Sequence, residues 1–90
     1  MVNRNEVEQR WKQRGFSCDL WIDPPGATWE GTIHGVDEVF MVVRGQMELE
    51  IGGEITHPEI GEEVSIPAGT RHTVRNLGES ILEWLVGYAR

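Results

Sequence analysis

A single cysteine, Cys18, excludes an internal disulfide, and its place in the apolar stretch FSCDLWI predicts a buried, inert thiol. No run of about 18 apolar residues occurs, which excludes a membrane-spanning helix. The opening segment, MVNRNEVEQRWKQRG, lacks the apolar centre that a secretory signal requires, so a cytoplasmic location is expected. Positive charge is also scarce. Eight Lys plus Arg stand against fifteen Asp plus Glu, a formal net charge of -7 at pH 7, which opposes attraction to nucleic acid or to an anionic membrane surface. Internal repeats, low-complexity stretches and linkers are missing as well. A chain of 90 residues holds one domain with a modest core. Its four tryptophans and the apolar runs Val39 to Val43 and Ile81 to Val86 then lead to the expectation of a homodimer.

What is present is mostly β texture. Asn3 to Arg14 carries good helix formers, with Val7 and Trp11 four apart and Glu6 three residues after Asn3, a capping-box signal; Gly15 closes the helix. The expected organisation is a helical segment over residues 1–15 and an all-β barrel domain over residues 16–90. From Phe16 onward, short β-prone runs alternate with Gly and Pro. The runs are Phe16 to Ile22, Trp29 to Ile33, Glu38 to Val43, Gln46 to Ile51, Glu54 to Thr56, Glu63 to Ile66, Arg71 to Arg75 and Ile81 to Tyr88. Asp23 to Gly26 stops the first of them, since proline cannot donate to a ladder and glycine accepts a positive φ. Gln46 to Ile51 alternates cleanly, with Met47, Leu49 and Ile51 on one face and Gln46, Glu48 and Glu50 on the other. Gly52 and Gly53 suit a two-residue hairpin loop.

Two spacings carry the chemistry. In the second half, Gly61 is followed by Pro67, Ala68, Gly69, His72 and Asn76, with five, two and three residues in the gaps. In the first half, His34 lies four residues before Glu38, and six residues separate Glu38 from Gly45. Position for position, the later set resembles the second signature motif of the cupin superfamily. The earlier set is similar to the first, which runs as two histidines one residue apart, a glutamate and a glycine. It departs from that pattern at Thr32, where the first histidine of the pair belongs.

The resemblance covers roughly Trp29 to Tyr88. It implies a cupin double-stranded β-helix, or jelly-roll barrel, with the ligands of both motifs converging inside it. Carried over residue by residue, the metal ligands it implies are His34, Glu38 and His72, and the loss at Thr32 turns a four-ligand site into a three-ligand one. Two imidazoles and a carboxylate leave open positions on an octahedral divalent transition metal such as Fe, Mn, Ni, Cu or Zn. The alternative for each histidine is an ordinary polar residue at a strand end, and for Glu38 a carboxylate facing water.

Other residues have roles to be weighed. Phe40, two residues beyond Glu38, is a candidate pocket wall. Trp21, Trp29 and Trp84 suit core or interface packing, with ligand stacking as the alternative for Trp29. Arg71 and Asp37 flank ligands and read as solvated charges or as groups orienting a substrate. His57 reads as an exposed loop residue and Asn76 as a turn-former. No general base is identifiable. The implied functions are a metal-dependent enzyme acting on a small molecule, a dioxygenase or an isomerase, and a noncatalytic module that binds a small metabolite such as a sugar or an acidic compound or acts as a sensor for a partner. A purely structural subunit with a filled barrel is the third.

Overall fold

The computed structural model describes residues 2–90. Helix α1 spans Arg4–Gln13, and the Asn3 side chain caps it by accepting a hydrogen bond from the Glu6 amide at 3.2 Å. Eight strands follow: β1 (Asp19–Asp23), β2 (Thr28–Thr32), β3 (Glu38–Arg44), β4 (Glu48–Ile51), β5 (Glu54–Thr56), β6 (Glu63–Ile66), β7 (His72–Arg75) and β8 (Leu82–Tyr88). They form two four-stranded antiparallel sheets, ordered β1-β8-β3-β6 and β2-β7-β4-β5. First-half strands pair with second-half strands in both sheets, β3 with β6 and β2 with β7, and this carries the two sequence motifs to one place.

Alternation explains why β3 reads as a continuous apolar run. Phe40 and Val42 point between the sheets into a core with Met47, Leu49, Ile66, Val74, Leu82, Trp84 and Val86. Val39 and Met41 point outward and are covered by Val7 and Trp11 of α1, together with Leu85 of β8. The helix therefore closes a second small core, and the Trp11 indole donates to Glu63 Oε1 at 2.9 Å. Gly87 lets the helix come this close: a β-carbon there would meet the Ser17 carbonyl and lie 2.9 Å from Cε3 of Trp11.

Several expectations are corrected in detail. The first strand begins at Asp19, not Phe16, which makes only an isolated bridge to Ala89. It also runs through Asp23, whose pairing with Leu82 keeps it in the ladder. Gln46 lies outside β4, and the face carrying Glu48 and Glu50 is only half wet. Arg75 Nη1 reaches across to both carboxylates at 2.9 Å. Cys18 is half-buried, packed at the edge of the helix-covered core. Burial, followed by the Glu8 carboxylate, pushes its thiol up. The Gly52-Gly53 loop forms as expected, both residues at positive φ between the paired Ile51 and Glu54.

Candidate metal centre

His34 sits in the loop entering β3, Glu38 opens β3 and His72 opens β7. Three local features bring them together. The Gly69 amide donates to the His34 carbonyl at 2.9 Å, tying the Pro67–Gly69 turn to the first motif. Asp37 Oδ1 accepts from the Ala68 amide at 2.8 Å, and the Asp37 carbonyl accepts from Ala89 at 2.9 Å. The registers of β3 place Glu38 opposite both Tyr88 and Ile66, while β2 pairs Thr32 with His72.

One ligand atom from each of His34, Glu38 and His72 lies within 4.8 Å of the others. Glu38 Oε1 is 3.4 Å from His34 Nε2 and 3.2 Å from His72 Nε2. Glu38 and His72 are buried, at 2% and 4% side-chain exposure, and His34 is half-buried. Despite these short distances, Glu38 Oε1 is a buried oxygen with no hydrogen-bond partner. His72 Nδ1 lies 3.1 Å from the Thr70 carbonyl. A carbonyl can only accept, so Nδ1 carries a proton, and in the neutral ring Nε2 is the nitrogen that presents its lone pair toward Glu38. Convergent, desolvated nitrogen and oxygen ligand atoms are what a divalent cation needs, so the three residues could hold one.

Burial pushes the Glu38 carboxyl up from its ordinary value of 4.5 to about 7. Burial, with His72 adding to it, moves the His34 imidazole below its ordinary value. The ring of His34 is held edge-on against Tyr88, the centroids 4.8 Å apart. Burial and then the Glu38 charge push the Tyr88 phenol up to about 12.

A cavity of about 170 Å³ opens onto the three residues. Thr32 and Val74 line it beside them, and Trp21, Trp29, Trp84 and Tyr88 make an aromatic wall. Trp29 therefore reaches the site, whereas Phe40 does not. Phe40 shares Glu38's inward parity but lies fully buried in the core, edge-on to Trp84 at 5.4 Å. Arg71 is exposed and donates to the Gly31 carbonyl at 3.2 Å, outside the cavity lining. Asn76 is a buried turn-former, its Oδ1 accepting from Gly78 and its Nδ2 donating to the carbonyls of Asp23 and Ser80. His57 is exposed.

Two positions that shape the cavity were missed by sequence reasoning. Tyr88 was findable, because Leu82, Trp84, Val86 and Tyr88 share one parity of the last strand. Asp23 was not. It reads as a turn residue before two prolines, yet it is 7% exposed and its Oδ2 accepts from both the Trp29 and Trp84 indoles, at 3.1 and 2.8 Å.

A two-sheet antiparallel barrel with a His, Glu, His group at its interior defines a class of small β-barrel proteins before any comparison is made. The Cupin_2 model, a cupin domain, matches residues 19–88, and the chain belongs to that family. An uncharacterised protein of Streptomyces coelicolor is 31% identical over 80 residues, covering 89% of this chain and 76% of that one. Among solved structures, a Cupin 2 conserved barrel domain protein from Salinispora arenicola superposes with a TM-score of 0.76 at 22% identity. That match covers 84% of this chain, which spans only 64% of the Salinispora chain. The Cupin_2 domain of an XRE family transcriptional regulator from Enterobacter cloacae gives 0.75 at 26% identity, covering 89% of this chain and 87% of the other. An oxalate oxidase gives 0.72 at 26% identity over 83% of this chain, which spans 42% of that enzyme.

Proposed function

We propose that this cupin holds a divalent transition metal on His34, Glu38 and His72 and uses it to act on a small molecule admitted through the aromatic cavity, with dioxygenase chemistry as the activity. The observation that carries the reading is the buried Glu38 oxygen, unpartnered and facing two imidazole nitrogens. A buried carboxylate oxygen left without a donor is costly, and a cation in that position removes the cost. Two histidines and one carboxylate with open positions are the donor set of non-haem iron oxygenases. When bound, the metal supplies Lewis acidity and, if it is iron, the capacity to bind dioxygen.

The chain's own residues favour this over isomerisation. Moving a proton between carbons needs a base that is not a metal ligand. Apart from His34, Glu38 and His72, the lining offers only the Thr32 and Tyr88 hydroxyls as side-chain oxygens, and the phenol holds its proton to about 12. Tyr88 also holds the His34 ring, while the Thr70 carbonyl holds the proton on His72 Nδ1.

A second reading, a noncatalytic sensor, draws on one specific finding: the Enterobacter neighbour is a domain of a transcriptional regulator. Elemental analysis of protein purified without chelator and without a nickel column separates the readings, combined with oxygen uptake on a panel of small substrates. Stoichiometric metal and substrate-dependent oxygen uptake support the enzyme. Ligand binding without turnover supports the sensor, and protein free of metal after incubation with each candidate ion overturns the enzyme. A homodimer is part of the proposal. Exposed Ile22, Ile33, Val36, Ile55, Ile60 and Leu77 leave apolar surface to cover, and a purely monomeric elution at micromolar concentration would remove it.

A further inference from the structure

The aromatic wall is held by one buried carboxylate. Trp21 comes from β1, Trp29 from β2 and Trp84 from β8, so the wall spans both sheets, with Trp21 5.2 Å from Trp29 and 5.3 Å from Trp84 between ring centroids. Asp23 Oδ2 takes the indole N–H of both Trp29 and Trp84. Those two polar handles are therefore spent inside the protein, and what the rings offer the cavity is flat apolar surface. Trp29 lines the cavity and is 45% exposed, so part of its ring faces solvent.

The rest of the lining narrows the ligand. It contains no Lys or Arg. An anionic oxygen would find its positive partner only at the metal. A sugar would bury several hydroxyls against too few donors and acceptors, each an uncompensated cost. The cavity volume of about 170 Å³ is close to the roughly 150 Å³ apolar cavity that accepts one benzene ring. A second fused ring exceeds that volume and would have to extend out of the cavity.

The geometry points to a planar single-ring compound bearing an oxygen donor as the ligand, with Asp23 as the positioning residue that sets the ring-binding wall. The oxygen-donor half of this rests on the metal reading above; the ring half does not.

The test is binding of benzoate, acetate, toluene and 2-naphthoate to metal-loaded protein, followed by calorimetry and tryptophan fluorescence, with metal content measured on the same samples. Benzoate is expected to bind at least about tenfold tighter than acetate, the factor that aromatic contacts of this kind supply, and tighter than 2-naphthoate. Trp29→Ala should erase the benzoate-to-acetate ratio while metal content holds. Asp23→Ala should lower the same ratio and Asp23→Asn, which keeps one acceptor oxygen, should restore part of it. A role for Asp23 in stability alone would lower the melting temperature and leave the ratio untouched. Equal binding of benzoate and acetate overturns the ring pocket, whatever the metal content. Retention of toluene and benzoate with equal affinity by protein that takes up no metal sustains the ring pocket and overturns the oxygen-donor half together with the metal reading.

Discussion

His72 Nε2 and Glu38 Oε1 stand 3.2 Å apart, 34 positions apart in the chain (72 minus 38), and no hydrogen bond joins them. With an Nδ1 proton of His72 committed to the Thr70 carbonyl, Nε2 of the neutral ring meets an ionised Glu38 lone pair to lone pair. Without a cation, that ionised contact is unfavourable at so buried an oxygen, in keeping with a carboxyl that holds its proton to about 7. It is the physical reason for expecting metal to stabilise this fold as well as to occupy it.

His72→Ala should abolish stoichiometric metal while the barrel still folds, because the site lies at the mouth of β7 and the interior core is built from other residues. Elemental analysis and circular dichroism check this together. Unchanged metal content in a folded variant would remove His72 from the centre.

Thr32→His should tighten the site. Thr32 lines the cavity and pairs directly with His72, so an imidazole there adds a fourth donor. Structural four-ligand zinc sites release about 10–16 kcal/mol, so one donor carries roughly a quarter of that. More than about tenfold higher affinity is expected in a competition titration against a chromophoric chelator.

Metal binding should release protons. With its carboxyl at about 7, Glu38 is mostly protonated at pH 6 and must ionise to bind. Near pH 6 about one proton per ion should leave from Glu38, and apparent affinity should weaken about tenfold per unit as pH falls below 7. Calorimetry in buffers of different ionisation enthalpy measures the release; heats independent of the buffer would contradict it.

Glu38 should also make the metal-free protein less stable at high pH. Below pH 4.5 the carboxyl is protonated folded or unfolded and contributes nothing. Between 4.5 and about 7 the unfolded chain loses the proton first, so stability falls across that window and stays lowered above it. The loss is on the order of 3 kcal/mol. His34 acts with the opposite sign, its folded value being lowered, so its contribution is lost as pH falls through its ordinary 6.5. Comparing wild type with Glu38→Gln isolates the carboxylate, since His34 is common to both. In urea titrations the variant should be the more stable at pH 8 and converge with wild type near pH 4.5. Saturating metal should reverse the order at pH 8.

Gly87→Ala should loosen the helix from the sheet. The added methyl meets the Ser17 carbonyl and the Trp11 ring, an overpacking cost of about 1–3 kcal/mol. Gly35→Ala, with nothing within 4 Å, is the control expected to leave stability nearly unchanged. Equal denaturation midpoints for the two would remove the close approach from the account.

The strands were legible because their causes are local. Alternation of Met47, Leu49 and Ile51, paired glycines at positions 52 and 53, and prolines at 24 and 25 each act within a few residues. The helix was legible for the same reason, through Asn3 and Glu6 at its start and Val7 and Trp11 on its buried face. Phe40 shows where such reasoning stops. Parity along β3 gave its direction correctly, but the depth at which the cavity ends is set by Trp84 from β8.

Residue composition and order alone determined the succession of turns and strands, the net negative charge, and the two short motifs holding His34, Glu38 and His72. Tertiary structure decided which atoms of those residues face one another, and that Asp23, far from either motif, anchors two tryptophans at the cavity. The physical reason is that hydrogen-bond partnership and burial in a barrel depend on register between strands remote in the chain, and register is a property of the assembled sheets.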